Sequence, residues 1–190
     1  MAKLTKERAR EILKKNVTQA HLFTHAEAVS AAMGAMADKL GGDKAHWEAI
    51  GYLHDVDFEK YPEEHCKHVR ELLEPEGVDE ADILAIISHG YGLCTQEHAP
   101  ETDMEKSLFT VDELTGVVMT TALMRPTGIA DMELKSLKKK FKDKAFAAKC
   151  NRDVIKQGFA LLGVEPDVVM QACIDGMRAH MDALGIGPRE

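Results

Sequence analysis

Along most of this chain apolar residues recur at intervals of three and four, while alternating β-branched runs bounded by tight turns are nearly absent. That period is the signature of a helix with one buried face, so the pattern predicts an all-α fold. The expected helices cover about residues 5–15, 19–40, 43–55, 62–74, 79–89, 103–124, 131–147, 151–162 and 166–184. Gly41-Gly42, Pro75-Glu76-Gly77, the Gly90 to Pro100 stretch, Arg125 to Gly128 and Gly163 to Pro166 supply the breaks. Asp43 is placed to cap the helix carrying Trp47, and Asp79 the one carrying Ile83 and Ile86.

Several of these faces carry a polar residue where the period calls for an apolar one. In the second helix Leu22, Ala26, Val29, Met33, Met36 and Leu40 form the stripe, and His25 lies on or beside it. In the third the stripe is Trp47, Ile50, Gly51 and His54, with Asp55 rotated by roughly 100° at the helix end. His89 is in register with Ala85 and Ile86, and Asp112 with Leu108, Thr115 and Met119. A charge buried alone costs several kcal/mol, so Asp112 must be paired, hydrogen-bonded or coordinated. Taken singly, each histidine also reads as an ordinary hydrogen-bonded core residue, and His21 with His25 at i, i+4 offers a second way to clip an ion. Four helices aiming imidazole or carboxylate inward are explained together by one shared metal. The donors suit a divalent transition metal (Fe, Mn, Zn, Ni or Co), one or two ions, better than magnesium or calcium.

Composition narrows the setting. With 190 residues, 45% of them hydrophobic, the chain is expected to form a single domain over 1–190. Its core is expected over about 19–125, with C-terminal helices over about 131–185 packed on it. A net charge of −8 argues against a nucleic-acid polymer as partner and leaves a small nucleotide open. The charged start "MAKLTKERAR" and the lack of an apolar run near the roughly 20 residues of a membrane span predict a soluble, cytoplasmic protein. Cys66, Cys94, Cys150 and Cys173 form no C-x-x-C unit and are expected as reduced thiols. The run "KSLKKKFKDK", residues 135–144, reads as a solvated helix face with Leu137 and Phe141 inward, or as a cationic lip for a phosphate-bearing substrate. His46, His98 and His180 lie in polar or terminal settings and are expected at the surface.

At His25, His54-Asp55 and Asp112 the sequence resembles the HD-domain superfamily, whose pattern is a histidine, a His-Asp pair and a distant aspartate. The apolar lead-in "AIGYLHD" fits that pattern, and "LHDVDFEKYPEEH", "VDELTG", "RPTG" and "LKKKFKDKAFAA" look like a bacterial and archaeal branch of predicted HD hydrolases. The similarity runs from about residue 5 to 185. Members that bind two metals add two histidines between the pair and the last aspartate. His89 matches the second, and "HCKHVRELL" aligned on its first histidine gives His65 rather than His68 for the first. In that arrangement Asp55 bridges the ions. Val56-Asp57-Phe58 stands where the familiar motif has I-G-K, which removes a lysine able to contact phosphate.

The resemblance implies a helical bundle of the HD type and metal-dependent hydrolysis of a phosphoester in a small phosphorylated metabolite or nucleotide. His25, His54, Asp55 and Asp112 would hold the core ion, and His65 and His89 a second ion or the phosphate. Asp57 and Glu64 are candidates for outer-shell or acid–base roles. Relatives with the six-ligand set also include di-iron oxygenases, and a non-catalytic metal- or nucleotide-binding protein is a third expectation.

Overall fold

The computed structural model describes residues 3–189. Its helices are α1 (Lys6–Asn16), α2 (Ala20–Leu40), α3 (Lys44–Leu53), α4 (Val69–Leu73), α5 (Glu80–Ser88), α6 (Asp103–Leu123), α7 (Leu134–Lys142), α8 (Arg152–Leu162), α9 (Pro166–Ala179) and α10 (Met181–Leu184). Among the described residues there is no strand, only an isolated bridge between Tyr91 and Thr95. The protein is all-α, as the period predicts, and no described helix is long and apolar enough to cross a membrane.

Most of the long helices start where a side chain can take an orphan N–H. Thr5 accepts from the Arg8 N–H, Asp43 from the His46 N–H and Asn151 from the Asp153 and Val154 N–H groups. Thr102 and Glu105 form a reciprocal capping box at α6. Asp79 occupies the N-cap position of α5 in extended conformation, but its side chain makes no capping hydrogen bond.

Helix α2 is the axis of the bundle. It packs against α3, α6 and α9, while α1 lies on α3 and α8 on α6. The stripe expected on α2 is buried from Leu22 to Met36, joined by Ala28, Ala31 and Ala32, which let the neighbours approach closely. At the α2–α3 crossing the helices approach closely at Gly51: a Cβ there would lie 2.9 Å from Met33 Cγ and 3.1 Å from Val29 O.

Three segments differ from the sequence expectation. Residues 62–74 do not form one helix. A single 3-10 turn, Pro62–Glu64, is followed by an extended His65 and by Cys66 at φ 69°, and only then by α4. Asp57 causes this, because its two oxygens accept from the His65 ring and the His68 N–H and hold the segment out of helical register. Residues 143–147, expected in the helix over 131–147, leave it because the buried Arg152 guanidinium gathers the carbonyls of Lys140, Phe141, Asp143, Phe146, Ala147 and Cys150 around itself. At the C-terminus His180 interrupts the helix, separating α9 from α10. Of the two readings of the lysine run, the solvated face is what α7 presents, with Leu137 buried and Phe141 packed against the core.

Candidate metal centre

Six side chains from separate elements converge beside α2. His25 is in the second turn of α2, and His54 follows the last residue of α3 with helical backbone (φ −57°), so it continues that helix's buried face. Asp55 is in the turn beyond, His65 in the extended segment held by Asp57, His89 at the C-cap of α5, and Asp112 in the middle of α6. His25, His54, His89 and Asp112 lie at helix ends or on inward stripes, where backbone geometry fixes their direction, whereas His65 is oriented by Asp57.

The donors form two clusters. In one, His25 Nε2 lies 3.2 Å from His54 Nε2 and 3.0 Å from Asp112 Oδ1, and His54 Nε2 is 3.2 Å from the same oxygen. Asp55 Oδ2 completes it at 3.5 Å from His25 Nε2 and 3.3 Å from His54 Nε2. In the other, His65 Nε2 lies 3.1 Å from His89 Nε2, and Asp55 Oδ1 is 3.2 Å from the first and 3.4 Å from the second. Donors held at about 2.0–2.2 Å from one ion are separated by about 3.0 Å at right angles and about 3.4 Å at tetrahedral angles. Every measured edge falls in that span except His25 Nε2 to Asp55 Oδ2, which at 3.5 Å lies just beyond it. Asp55 therefore turns one oxygen to each cluster.

The outer ring nitrogens explain why the inner ones face one another. His54 Nδ1 is 2.7 Å from Gly51 O and His89 Nδ1 is 2.5 Å from Ile86 O. A carbonyl only accepts, so both Nδ1 atoms carry a proton and donate, which leaves each Nε2 to supply a lone pair inward. His65 Nδ1 donates in the same way to Asp57 Oδ1 at 2.8 Å. Two Nε2 atoms about 3 Å apart repel unless a positive charge sits between them. A proton or a metal ion must therefore be shared within each cluster.

The electrostatics agree. Burial opposes a charge on His54, yet the Asp55 and Asp112 carboxylates outweigh it and hold the imidazole well above its ordinary value. For His65, burial is again overcome, here by Asp55 and Asp57, and the value rises to about 10. Asp55 and Asp112 are pushed the other way: burial would raise them, but His54 and its neighbours hold both well below the carboxylate range. These groups form an ion-paired nest whose protons must leave when a cation enters.

The clusters open into a cavity of about 520 Å³ walled by Phe58, Pro62, Leu93, Cys94, Glu113 and Cys150. Glu64 is not in that wall. It pairs with His68 at 3.1 Å, and His68 also bonds Glu71 and stacks on Tyr61. His21 is exposed and belongs to neither cluster. His46 and His98, expected at the surface, are half-buried against Asp82 and Glu105, and His180 reaches Glu27.

Some participants were not anticipated from the sequence. The carbonyls of Gly51 and Ile86 carry no sequence signal at all. Cys66 groups with His65 and His89, its Sγ 3.8 Å from His89 Nε2, and only its place next to His65 pointed there. Glu113 follows Asp112 directly and reaches the cavity wall while accepting from the Asn151 N–H. The residues present thus fit one or two divalent ions. No protein-family model, curated protein or solved structure matches the chain.

Proposed function

We propose that this protein is a metal-dependent phosphohydrolase of the HD type, acting on a small phosphorylated metabolite. The observation that carries the reading is the split of Asp55, whose two oxygens face two histidine clusters at 3.2–3.5 Å. A carboxylate placed in this way suits a pair of ions acting on one substrate group.

When bound, the ions supply Lewis-acid polarisation of a phosphoryl oxygen and a water acidic enough to ionise near neutral pH. The protein's part is positional. His25, His54 and Asp112 would hold one ion and His65 and His89 the other, with one Asp55 oxygen facing each. Gly51 O and Ile86 O fix the His54 and His89 rings, and Asp57 fixes His65, so these three rings are already oriented before loading. Phe58, Pro62 and Leu93 supply the apolar part of the cavity wall.

The same donors suit di-iron oxygenase chemistry, and one experiment separates the two. Protein purified from iron-rich medium is analysed for metal, then assayed on a panel of sugar phosphates and nucleotides while dissolved oxygen is recorded. Phosphate release without oxygen uptake, abolished by Asp112→Ala, supports hydrolysis. Oxygen uptake by an iron pair favours the oxygenase. Metal binding with no turnover on any substrate leaves a binding protein.

A further inference from the structure

The two ion clusters are not equally furnished. His25, His54, Asp55 and Asp112 bring four donors to the first, whereas His65, His89 and one Asp55 oxygen bring three to the second. A sulfur stands beside those three. Cys66 Sγ lies 3.8 Å from His89 Nε2, and it groups with one ring nitrogen each of His65 and His89 within 4.8 Å. A thiolate binds at about 2.3 Å and an imidazole at about 2.0–2.1 Å, so two such donors on one ion are about 3.6 Å apart at the tetrahedral angle and about 3.8 Å apart at 120°. The Cys66–His89 edge falls at the wide end of that range.

The chain is arranged to bring this sulfur inward. Asp57 accepts from the His65 ring and from the His68 N–H, on either side of Cys66, and between them Cys66 takes a left-handed backbone at φ 69°. Its side chain is buried all the same. Residue 90 is glycine, and a Cβ there would lie 2.5 Å from Cys66 Sγ and 2.5 Å from Cys94 Sγ, so the absent side chain leaves the space that the two sulfurs fill. Cys94 directs its own Sγ to Gly90 O at 3.6 Å and lies on the cavity wall. A buried cysteine is by itself an ordinary small hydrophobe. What sets Cys66 apart is its ligand spacing to a ring whose Nε2 already faces the position that His65 and Asp55 frame.

We propose that Cys66 is a further ligand of the second ion, giving it two nitrogens, one oxygen and one sulfur, and that this site selects a thiophilic ion such as zinc, cobalt or ferrous iron over manganese. The inference rests on the two-cluster metal reading. On loading, the S–H proton leaves to solvent as the sulfur–metal bond forms. The first cluster has no sulfur, so the two positions differ in the metal they prefer.

The test is titration of the full chain with cobalt(II), followed by absorption. Sulfur bound to cobalt gives a charge-transfer band in the near ultraviolet that nitrogen and oxygen ligands do not. The band is expected in the wild-type protein, lost in Cys66→Ser, and kept in Cys94→Ser and Cys150→Ser. The zinc-to-manganese affinity ratio, from chelator competition, should fall in Cys66→Ser and be kept in Cys94→Ser. X-ray absorption of the zinc-loaded wild type reads the same bond without a variant, as a sulfur neighbour at about 2.3 Å. Bound cobalt without the band, a band that survives in Cys66→Ser, an unchanged affinity ratio, or zinc without a sulfur neighbour overturns the proposal and leaves the two-cluster reading standing. A folded chain that binds neither cobalt nor zinc overturns both.

Discussion

His65 donates its Nδ1 proton to Asp57 at 2.8 Å while its Nε2 lies 3.1 Å from His89 Nε2, so one buried carboxylate orients a ring that no helix holds. The second Asp57 oxygen accepts the His68 N–H at 3.2 Å, which ties the orientation of the ring to the course of the backbone. Replacing Asp57 by Asn leaves one acceptor for two donors and removes the negative charge behind the ring. The affinity of the His65–His89 site for its ion should drop by about 10–100-fold. Chelator competition on Asp57→Asn checks this, with the His25–His54–Asp112 site as internal reference. Equal weakening at both sites would mean that Asp57 acts only through the fold.

Asp112 bears on stability as well as chemistry. Without metal, His54 is fully buried and its charge is balanced by Asp55 and Asp112. Breaking a buried pair by removing one partner costs roughly 3–5 kcal/mol, less where a second partner stays. Asp112→Ala should therefore lose about 2–3 kcal/mol in urea unfolding of the metal-free protein, and should no longer gain stability from added metal at that cluster. An unchanged metal-induced gain would remove Asp112 from the ligand set.

Gly51 joins packing to the site. Its missing side chain lets α3 approach α2, and its carbonyl accepts from His54. Gly51→Ala has to push against backbone at Val29 and Ser30, for which overpacking costs of about 1–3 kcal/mol are usual. The displaced carbonyl should also loosen the first ion. Thermal unfolding and a metal titration on the same variant check both effects, and a variant that is destabilised with unchanged affinity would uncouple them.

A pH dependence is expected away from the ions. His46 Nε2 lies 2.7 Å from Asp82 Oδ1, and this hydrogen bond to a buried carboxylate raises the His46 value despite the opposing effect of burial. Because the folded value is raised, the stabilisation is complete below the ordinary histidine value, about 6.5, and is lost as pH rises through the folded value. His46→Gln should cost about 1–2 kcal/mol at pH 5.5 and progressively less in alkaline buffer. A cost that grows with pH would reverse the assignment.

Much of this site is visible in the chain because helix phase decides where a side chain points. His25, His54, His89 and Asp112 sit on apolar stripes, and the period alone aims them inward. His65 is different. Its segment has helical spacing, but Asp57 draws His65 and His68 out of a helix, and a nonlocal pull of that kind leaves no periodic trace. Arg152 is a parallel case, since its guanidinium reaches carbonyls up to twelve residues away and ends α7 early. The carbonyls that fix the His54 and His89 rings belong to backbone, which every residue possesses.

The most direct measurement is elemental analysis of the purified protein after reconstitution with excess divalent metal and removal of the unbound ions. The account predicts two ions per chain, and one for His65→Ala. A wild-type protein that retains none, while still folded by circular dichroism, would contradict it.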